Sequence, residues 1–281
     1  MKDREVIGSH FFDADGDGDV DLYAASGSTE FGSRSDHYQD ILYVNDGKGN
    51  FNFAADGTLR GVAGSTQRVA SADVDADGDL DLFVGGRNEP GAYPAAPKSY
   101  LLMNNAGIFT DAIAEKAPEL ERAGMITDAV FTDLNGDRKP DLIVCGEWMP
   151  VRAYMNTGGA FVADTTVFDE QLTGWWWDLE LADLDNDGDL DVIAGNIGLN
   201  NKFHPSAEKP LEIYMGDLDA TGTNDIVLAK HKAPGSTECV PVRGRECSSE
   251  QMPFIKEKFK TYKAFSEADL TTLYGCLLYT S

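Results

Sequence analysis

Basic residues are scarce in this chain: 23 Lys and Arg stand against 48 Asp and Glu, for a formal net charge of −25 over 281 residues. So acidic a surface repels phosphate backbones and anionic headgroups, which excludes nucleic acid as a partner. Eighteen consecutive apolar residues occur nowhere in the sequence, so no segment is built for membrane insertion as a helix. Histidine is limited to His10, His37, His204 and His231, none of them in a nucleophile or metal motif, and no GxSxG, HExxH or phosphate-cradling loop occurs. The expectation is therefore a protein that is not an enzyme. Four cysteines are present. Cys145 sits in the apolar run Leu142, Ile143, Val144 and reads as a buried strand residue. Cys239 and Cys247 flank a loop containing Pro and Arg, and a disulfide and two free thiols both remain open. A metal pair is disfavoured there, because CxxC spacing and a nearby His are missing.

What is present is repetition. With 42% hydrophobic and 10% aromatic residues the chain can bury a core, and five segments superimpose: Asp13–Asp21, Asp73–Asp81, Asp133–Asp141, Asp183–Asp191 and Asp217–Asp225. Their starts are 60, 60, 50 and 34 residues apart, and each leads into an apolar run: DLYAAS, DLFVGG, DLIVCG, DVIAGN and DIVLAK. A second element recurs as ILYVNDGKGNFNF (41–53), YLLMNNAGIFTDA (100–112) and RAYMNTGGAFVAD (152–164), an apolar strand, an Asn/Gly turn and a returning strand. The unit is strand, Asp loop, strand, connection, strand, tight turn, strand. Such a unit, about 60 residues long, is one four-stranded antiparallel blade of a β-propeller. The expected fold is all-β, a partial propeller of four to five repeat units.

The acids concentrate in the loops, which hold 21 of the 48. Carboxylates at positions one, three, five and nine of a curled loop converge on a hard cation, and all-oxygen donors of this kind suit Ca²⁺. The candidates are Asp13, Asp15, Asp17 and Asp21; Asp73, Asp75, Asp77 and Asp81; Asp133, Asn135, Asp137 and Asp141; Asp183, Asp185, Asp187 and Asp191; and Asp217, Asp219 and Asp225. Position seven (Asp19, Asp79, Lys139, Asp189) is expected to offer its backbone carbonyl, and glycine at position six (Gly18, Gly78, Gly188) to allow the turn. An EF-hand is excluded, since its twelfth position needs a Glu and here holds Ala24, Val84, Val144 and Ala194. The ninth Asp is therefore expected to close each site, with both oxygens on the ion. Loop three, with Asn135 and Arg138, is expected to bind more weakly, and loop five, with Thr221 at position five, is left open.

The motifs DADGDGDVDL, DVDADGDLDL, DLNGDRKPDL and DLDNDGDLDV resemble the FG-GAP/VCBS repeats of integrin-α-type propellers, and YVNDGKGNF, GEWMPV and AGNIGLNNKF resemble bacterial secreted VCBS-repeat proteins. The resemblance covers roughly residues 5 to 230 and implies a secreted, cell-surface or periplasmic adhesion module that binds calcium and a protein or carbohydrate ligand. Kept beside it are a propeller-fold hydrolase or lyase and a purely structural spacer. Repeats are expected over 1–230 and a less regular segment with a short helix over 231–275, from the spacing of Phe259, Tyr262, Phe265 and Leu270. The tail 276–281 (CLLYTS) resembles a translated sequencing adapter and is set aside. MKDREVIGSHFF lacks a signal core and Met1 stands twelve residues before the first motif, so the chain reads as a fragment whose signal segment lies outside it.

Strand direction places the Asp loops and the Asn/Gly hairpins on one face. The long segments Gly27–Gln39, Arg87–Lys98, Glu147–Pro150 and the stretch ending in Trp175–Trp177 fall on the other. Long loops on a rigid scaffold are where binding resides, so Tyr38, Tyr93, Trp148 and Arg87 are expected on a ligand face. The triplet Trp175, Trp176 and Trp177 fits either sheet packing or a carbohydrate-stacking platform.

Overall fold

The computed structural model describes residues 4–32, 35–198, 201–275 and 279–280, which form two compact units. The first comprises Met1–Gly91 and Ala95–Ile197. Its first sheet runs β1 (Val6–Phe12), β2 (Asp21–Ser26), β3 (Ile41–Asn45) and β4 (Phe51–Phe53), antiparallel and in chain order. The second repeats this with β6 (Ser65–Ala72), β7 (Asp81–Asn88), β8 (Tyr100–Asn105) and β9 (Ile108–Asp111). A two-residue strand β5 (Leu59–Arg60) adds parallel to β9, and a one-turn helix α1 (Ile113–Lys116) follows. The third has β10 (Met125–Thr132), β11 (Asp141–Met149), β12 (Arg152–Asn156) and β13 (Phe161–Asp164). These three sheets are the expected four-stranded units. Among the described residues the fourth repeat contributes β14 (Gly174–Ala182) and β15 (Asp191–Asn196), and β14 also joins the far end of β11 through Glu147↔Trp175 and Met149↔Gly174.

The second strands β7 and β11 are continuous apolar runs covered on both faces, whereas β15 carries a similar run but is largely exposed. In β7, Leu82 and Val84 pack with Phe12, Tyr23 and Leu42 of the first sheet, whereas Phe83 packs with Ile126, Leu142 and Val144 of the third. In β11, Ile143 and Cys145 turn instead towards Val151 and Leu179. Cys145 is the buried strand residue expected, and burial pushes its thiol up to about 11. Glycine ends these runs because neighbouring backbone passes there: a Cβ on Gly146 would lie 2.2 Å from the Met125 carbonyl oxygen.

One buried carboxylate links the first two sheets. Asp40 accepts hydrogen bonds from the Ser26 amide (2.7 Å), the Tyr23 hydroxyl (2.8 Å) and the Thr66 hydroxyl (2.8 Å). Burial outweighs these donors and raises its pKa from 3.8 to about 7. The folded value lies above the unfolded one, so this contribution to stability is complete below pH 3.8 and is lost as pH rises to about 7. The expected loss across that window is about 1.4 kcal/mol per pH unit. Melting temperatures of the wild type and Asp40→Asn, taken from pH 4 to 8 in saturating calcium, should diverge in favour of Asn up to neutrality. A pH-independent difference would show that Asp40 does not titrate in this window.

The second unit comprises Ala92–Pro94 and Gly198–Ser281. Strands β16 (Leu211–Gly216), β17 (Asp225–His231), β18 (Cys239–Pro241) and β19 (Tyr279–Thr280) form a sheet in the order β18-β17-β16-β19. Of the tail set aside above, Tyr279–Thr280 thus pairs with β16 through its backbone, and the rest lies outside the described residues. The single short helix expected after residue 231 is instead four: α2 (Arg245–Gln251), α3 (Phe254–Lys258), α4 (Tyr262–Glu267) and α5 (Leu270–Tyr274). Extended backbone at Met252 and Ala268 breaks the apolar spacing, and the side chains of Thr261 and Asp269 cap new starts by accepting from the Ala264 and Thr272 amides. Ile255, Phe259, Phe265 and Leu273 cover Val227 and Ala229 of the sheet. Cys239 and Cys247 are free thiols, and no helix among the described residues is long and apolar enough to cross a membrane.

Candidate functional site

All five Asp loops share one conformation. Position six is left-handed throughout (Gly18, Gly78, Arg138, Gly188, Gly222), and so is position four (Gly16, Ala76, Gly136, Asn186, Ala220), which the spacing alone did not reveal. Arg138 holds φ +67° without the freedom of glycine. The position-six amide donates to the first Asp in every loop: Gly18 to Asp13 (3.0 Å), Gly78 to Asp73 (3.2 Å), Arg138 to Asp133 (2.7 Å), Gly188 to Asp183 (3.2 Å) and Gly222 to Asp217 (3.0 Å). The curl gathers carboxylates: oxygens of Asp13, Asp15 and Asp17, of Asp73, Asp75 and Asp81, of Asp183, Asp185 and Asp191, and of Asp217, Asp219 and Asp225 each lie within 4.8 Å of one another. Hard, negatively charged oxygens this close repel unless a cation lies among them. Burial and the charges of Asp17, Asp21 and Asp13 accordingly raise the pKa of Asp15.

Loop three departs from this pattern. The Lys139 ammonium pairs with Asp137 at 2.8 Å and holds that carboxyl below its usual range, so a side chain expected at the ion is engaged by a fixed cation. In loop five the Thr221 hydroxyl donates to Asp219 at 2.7 Å.

The ninth Asp is set apart from the rest. Asp21, Asp81 and Asp141 are fully buried. One oxygen of each accepts from the second residue of its own loop: Ala14 (2.8 Å), Val74 (3.0 Å) and Leu134 (2.9 Å). The other accepts from the amide of Asn45 (2.8 Å), Asn104 (2.7 Å) or Asn156 (2.7 Å) on the third strand. Each oxygen keeps a further lone pair for an ion. Burial raises Asp81 to about 6, and the charges of Asp75 and Asp77 add to the rise against its two amide donors. Asp225 has the Leu218 amide (3.1 Å) and, in place of an Asn, the Gln251 side chain (3.3 Å) from α2. Asp191 accepts from Leu184 (2.9 Å) and is exposed.

Two of those asparagines also link successive sheets. Asn104 donates to the Ala14 carbonyl of loop one (3.0 Å), and Asn156 to the Val74 carbonyl of loop two (2.8 Å). A Cβ on Gly107 would lie 3.2 Å from the Asp15 Cβ, and on Gly159 2.9 Å from the Asp75 Cβ. The second and third hairpin turns therefore pack on the preceding sheet's loop. The signal was in the sequence, as an Asn at the same place in YVN, LMN and YMN.

Arg87 and Glu147 lie at the opposite ends of β7 and β11, six residues beyond Asp81 and Asp141, or about 20 Å along an extended strand. They pair at 2.5 Å, and the guanidinium lies 5.5 Å from the centre of the Trp177 ring. The Arg87 side chain is only 12% exposed, so this ion pair and ring cover most of it. Trp148 stands edge-on to Trp175 at 5.0 Å. The triplet divides: Trp176 packs with Ile143, Cys145 and Leu179 and donates to the Leu172 carbonyl (3.1 Å), whereas Trp177 is 43% exposed. Tyr38, expected on the ligand face, is buried, and its hydroxyl bridges the Phe31 amide and carbonyl at 2.9 and 2.8 Å. Tyr93 falls in the second unit.

A further cluster was missed. Glu212, His231 and Cys239 converge on the second unit's sheet, so Cys239 does have a His partner, one that strand pairing brings beside it. No curated protein matches the chain. Repeats of the FG-GAP kind commonly bind Ca²⁺, and FG-GAP-like repeats occupy residues 11–84 and 133–194, the two stretches that hold loops one to four.

Proposed function

We propose that the first unit is a calcium-stiffened, extracellular ligand-binding module, a set of propeller blades whose Asp loops hold Ca²⁺ at one end and whose partner docks at the other. The observation that carries this reading is the shared loop geometry, which gathers carboxylate oxygens at loops one, two and four and packs loops one and two on the hairpin of the next sheet. An ion at a loop then braces the interface between two sheets as well as its own backbone. FG-GAP repeats are typical of extracellular adhesion and ligand-binding modules.

The partner-binding residues in this reading are Trp177, Trp148 and Arg87. An exposed indole backed by a guanidinium offers a flat, polarised surface to a sugar ring or to a protein side chain. The chain acts by binding, without catalysis. Arrays of glycans and of matrix proteins would identify the partner. Trp177→Ala should then weaken its binding at least tenfold while calcium titration is unchanged. Survival of binding in Trp177→Ala, with loss on replacing Asp19 and Asp79 by Asn, would place the partner on the calcium end and overturn the assignment.

A further inference from the structure

Three strands of the second unit bring unlike donors to one sheet face. His231 ends β17 and Cys239 opens β18 directly opposite it. Glu212 on β16 pairs with Ala229, two residues before His231, and so stands diagonally across from the imidazole on the same face. Tyr214, two residues along β16, shares that face.

The hydrogen bonds decide which atoms are left to bind something. His231 Nδ1 contacts the Ser236 carbonyl, which only accepts, so the ring proton sits on Nδ1. Nε2 lies 2.6 Å from Glu212 Oε1, and once it gives up its proton it presents a lone pair to the carboxylate. Two lone pairs that close repel unless a cation lies between them, either a proton or a metal. The other carboxylate oxygen accepts from the Tyr214 hydroxyl and from the Cys239 thiol, whose sulfur lies at 3.6 Å.

We infer that Glu212, His231 and Cys239 form a site for Zn²⁺ or a similar borderline divalent metal, chemically distinct from the calcium loops. Protons join these groups only in pairs, the imidazole and the thiol each with Glu212, whereas a metal uses all three donors at once. Mixed nitrogen, sulfur and oxygen donors suit zinc, which takes such ligands at about 2.0–2.3 Å in a tetrahedron. The three ligand atoms already lie within 4.8 Å of one another. The supporting contacts are those that orient metal ligands: a backbone carbonyl on the distal imidazole nitrogen and a hydroxyl on the carboxylate. Binding displaces the Cys239 thiol proton and any proton on Nε2 into solvent, and the fourth position is left for water.

The test uses the full chain, reduced, in about 20 mM calcium, well above the dissociation constants expected of the Asp loops, and titrated with Co²⁺. One equivalent should produce a thiolate-to-cobalt charge-transfer band in the near ultraviolet that Zn²⁺ displaces. His231→Gln and Cys239→Ser should each weaken binding at least tenfold, while Cys247→Ser leaves the band intact. As a second measurement on the wild type, Zn²⁺ should protect Cys239 but not the exposed Cys247 from alkylation, read by mass spectrometry. Absence of a sulfur band in the reduced wild type, or equal alkylation of Cys239 with and without Zn²⁺, would leave only the imidazolium–carboxylate pair and overturn the proposal.

Discussion

Asp81→Ala is expected to destabilise the first unit by roughly 2–6 kcal/mol, in EGTA as well as in calcium, because it strips the partners from two buried amides at about 1–3 kcal/mol each. Those amides are Val74 in loop two and Asn104 on β8, and the fully buried carboxylate is what joins them. Asp21→Ala and Asp141→Ala should behave alike, since the same two hydrogen bonds recur around them. Asp77→Asn, on the exposed side of loop two, is expected to weaken calcium binding and leave the metal-free stability within about 0.5 kcal/mol of wild type. Denaturant unfolding followed by tryptophan fluorescence reads this unit alone, because all four tryptophans, Trp148 and Trp175–Trp177, belong to it. An Asp81→Ala midpoint equal to wild type in EGTA would mean that the ninth Asp is a metal ligand and nothing more.

Withdrawing calcium from the wild type is expected to cost a similar amount, spread over several sites. Extracellular modules bind with dissociation constants of about 10⁻⁴–10⁻³ M, so millimolar calcium contributes roughly 0.4–1.4 kcal/mol per site and about 2–6 kcal/mol for four. That sum is comparable to the whole stability of an ordinary domain. The loss should appear as a lower melting temperature in EGTA and as looser packing between sheets, because the hairpins at Gly107 and Gly159 rest on loops one and two. Calorimetry should show loops one, two and four filling before loop three, where Lys139 already occupies Asp137. An unchanged melting temperature after chelation, or loop three filled while loop one is empty, would contradict this account.

The repeat, the strand runs and the acidic loops were legible because each is a local pattern. A nine-residue loop with acids at alternate positions, glycine at its turn and an apolar run behind it states its own geometry, and β2, β7, β11, β15 and β17 all begin at the ninth Asp. Alternation within DLFVGG and DLIVCG did not say which neighbour each face would meet; the stacking of sheets decided that Leu82 and Phe83 enter different cores. Two structural roles depended on burial that only the folded sheets supply. The ninth Asp was read as a metal ligand from its spacing, yet its burial and its amide partner on the third strand, 24 residues away at Asn45, exist only in the folded sheet. Tyr38 was read as a surface aromatic in a long loop, and the fold turns it inward, where its hydroxyl finds the Phe31 backbone. The helical spacing after residue 256 overlooked the breaks, because caps at Thr261 and Asp269 are hydrogen bonds rather than hydrophobic periods. The sequence alone thus determined the repeat, its all-β unit and the chemistry of the Asp loops, since these rest on neighbours within a few residues. Only the tertiary structure decided that Glu212, His231 and Cys239 meet, because strand pairing places residues 19 and 27 apart on one face.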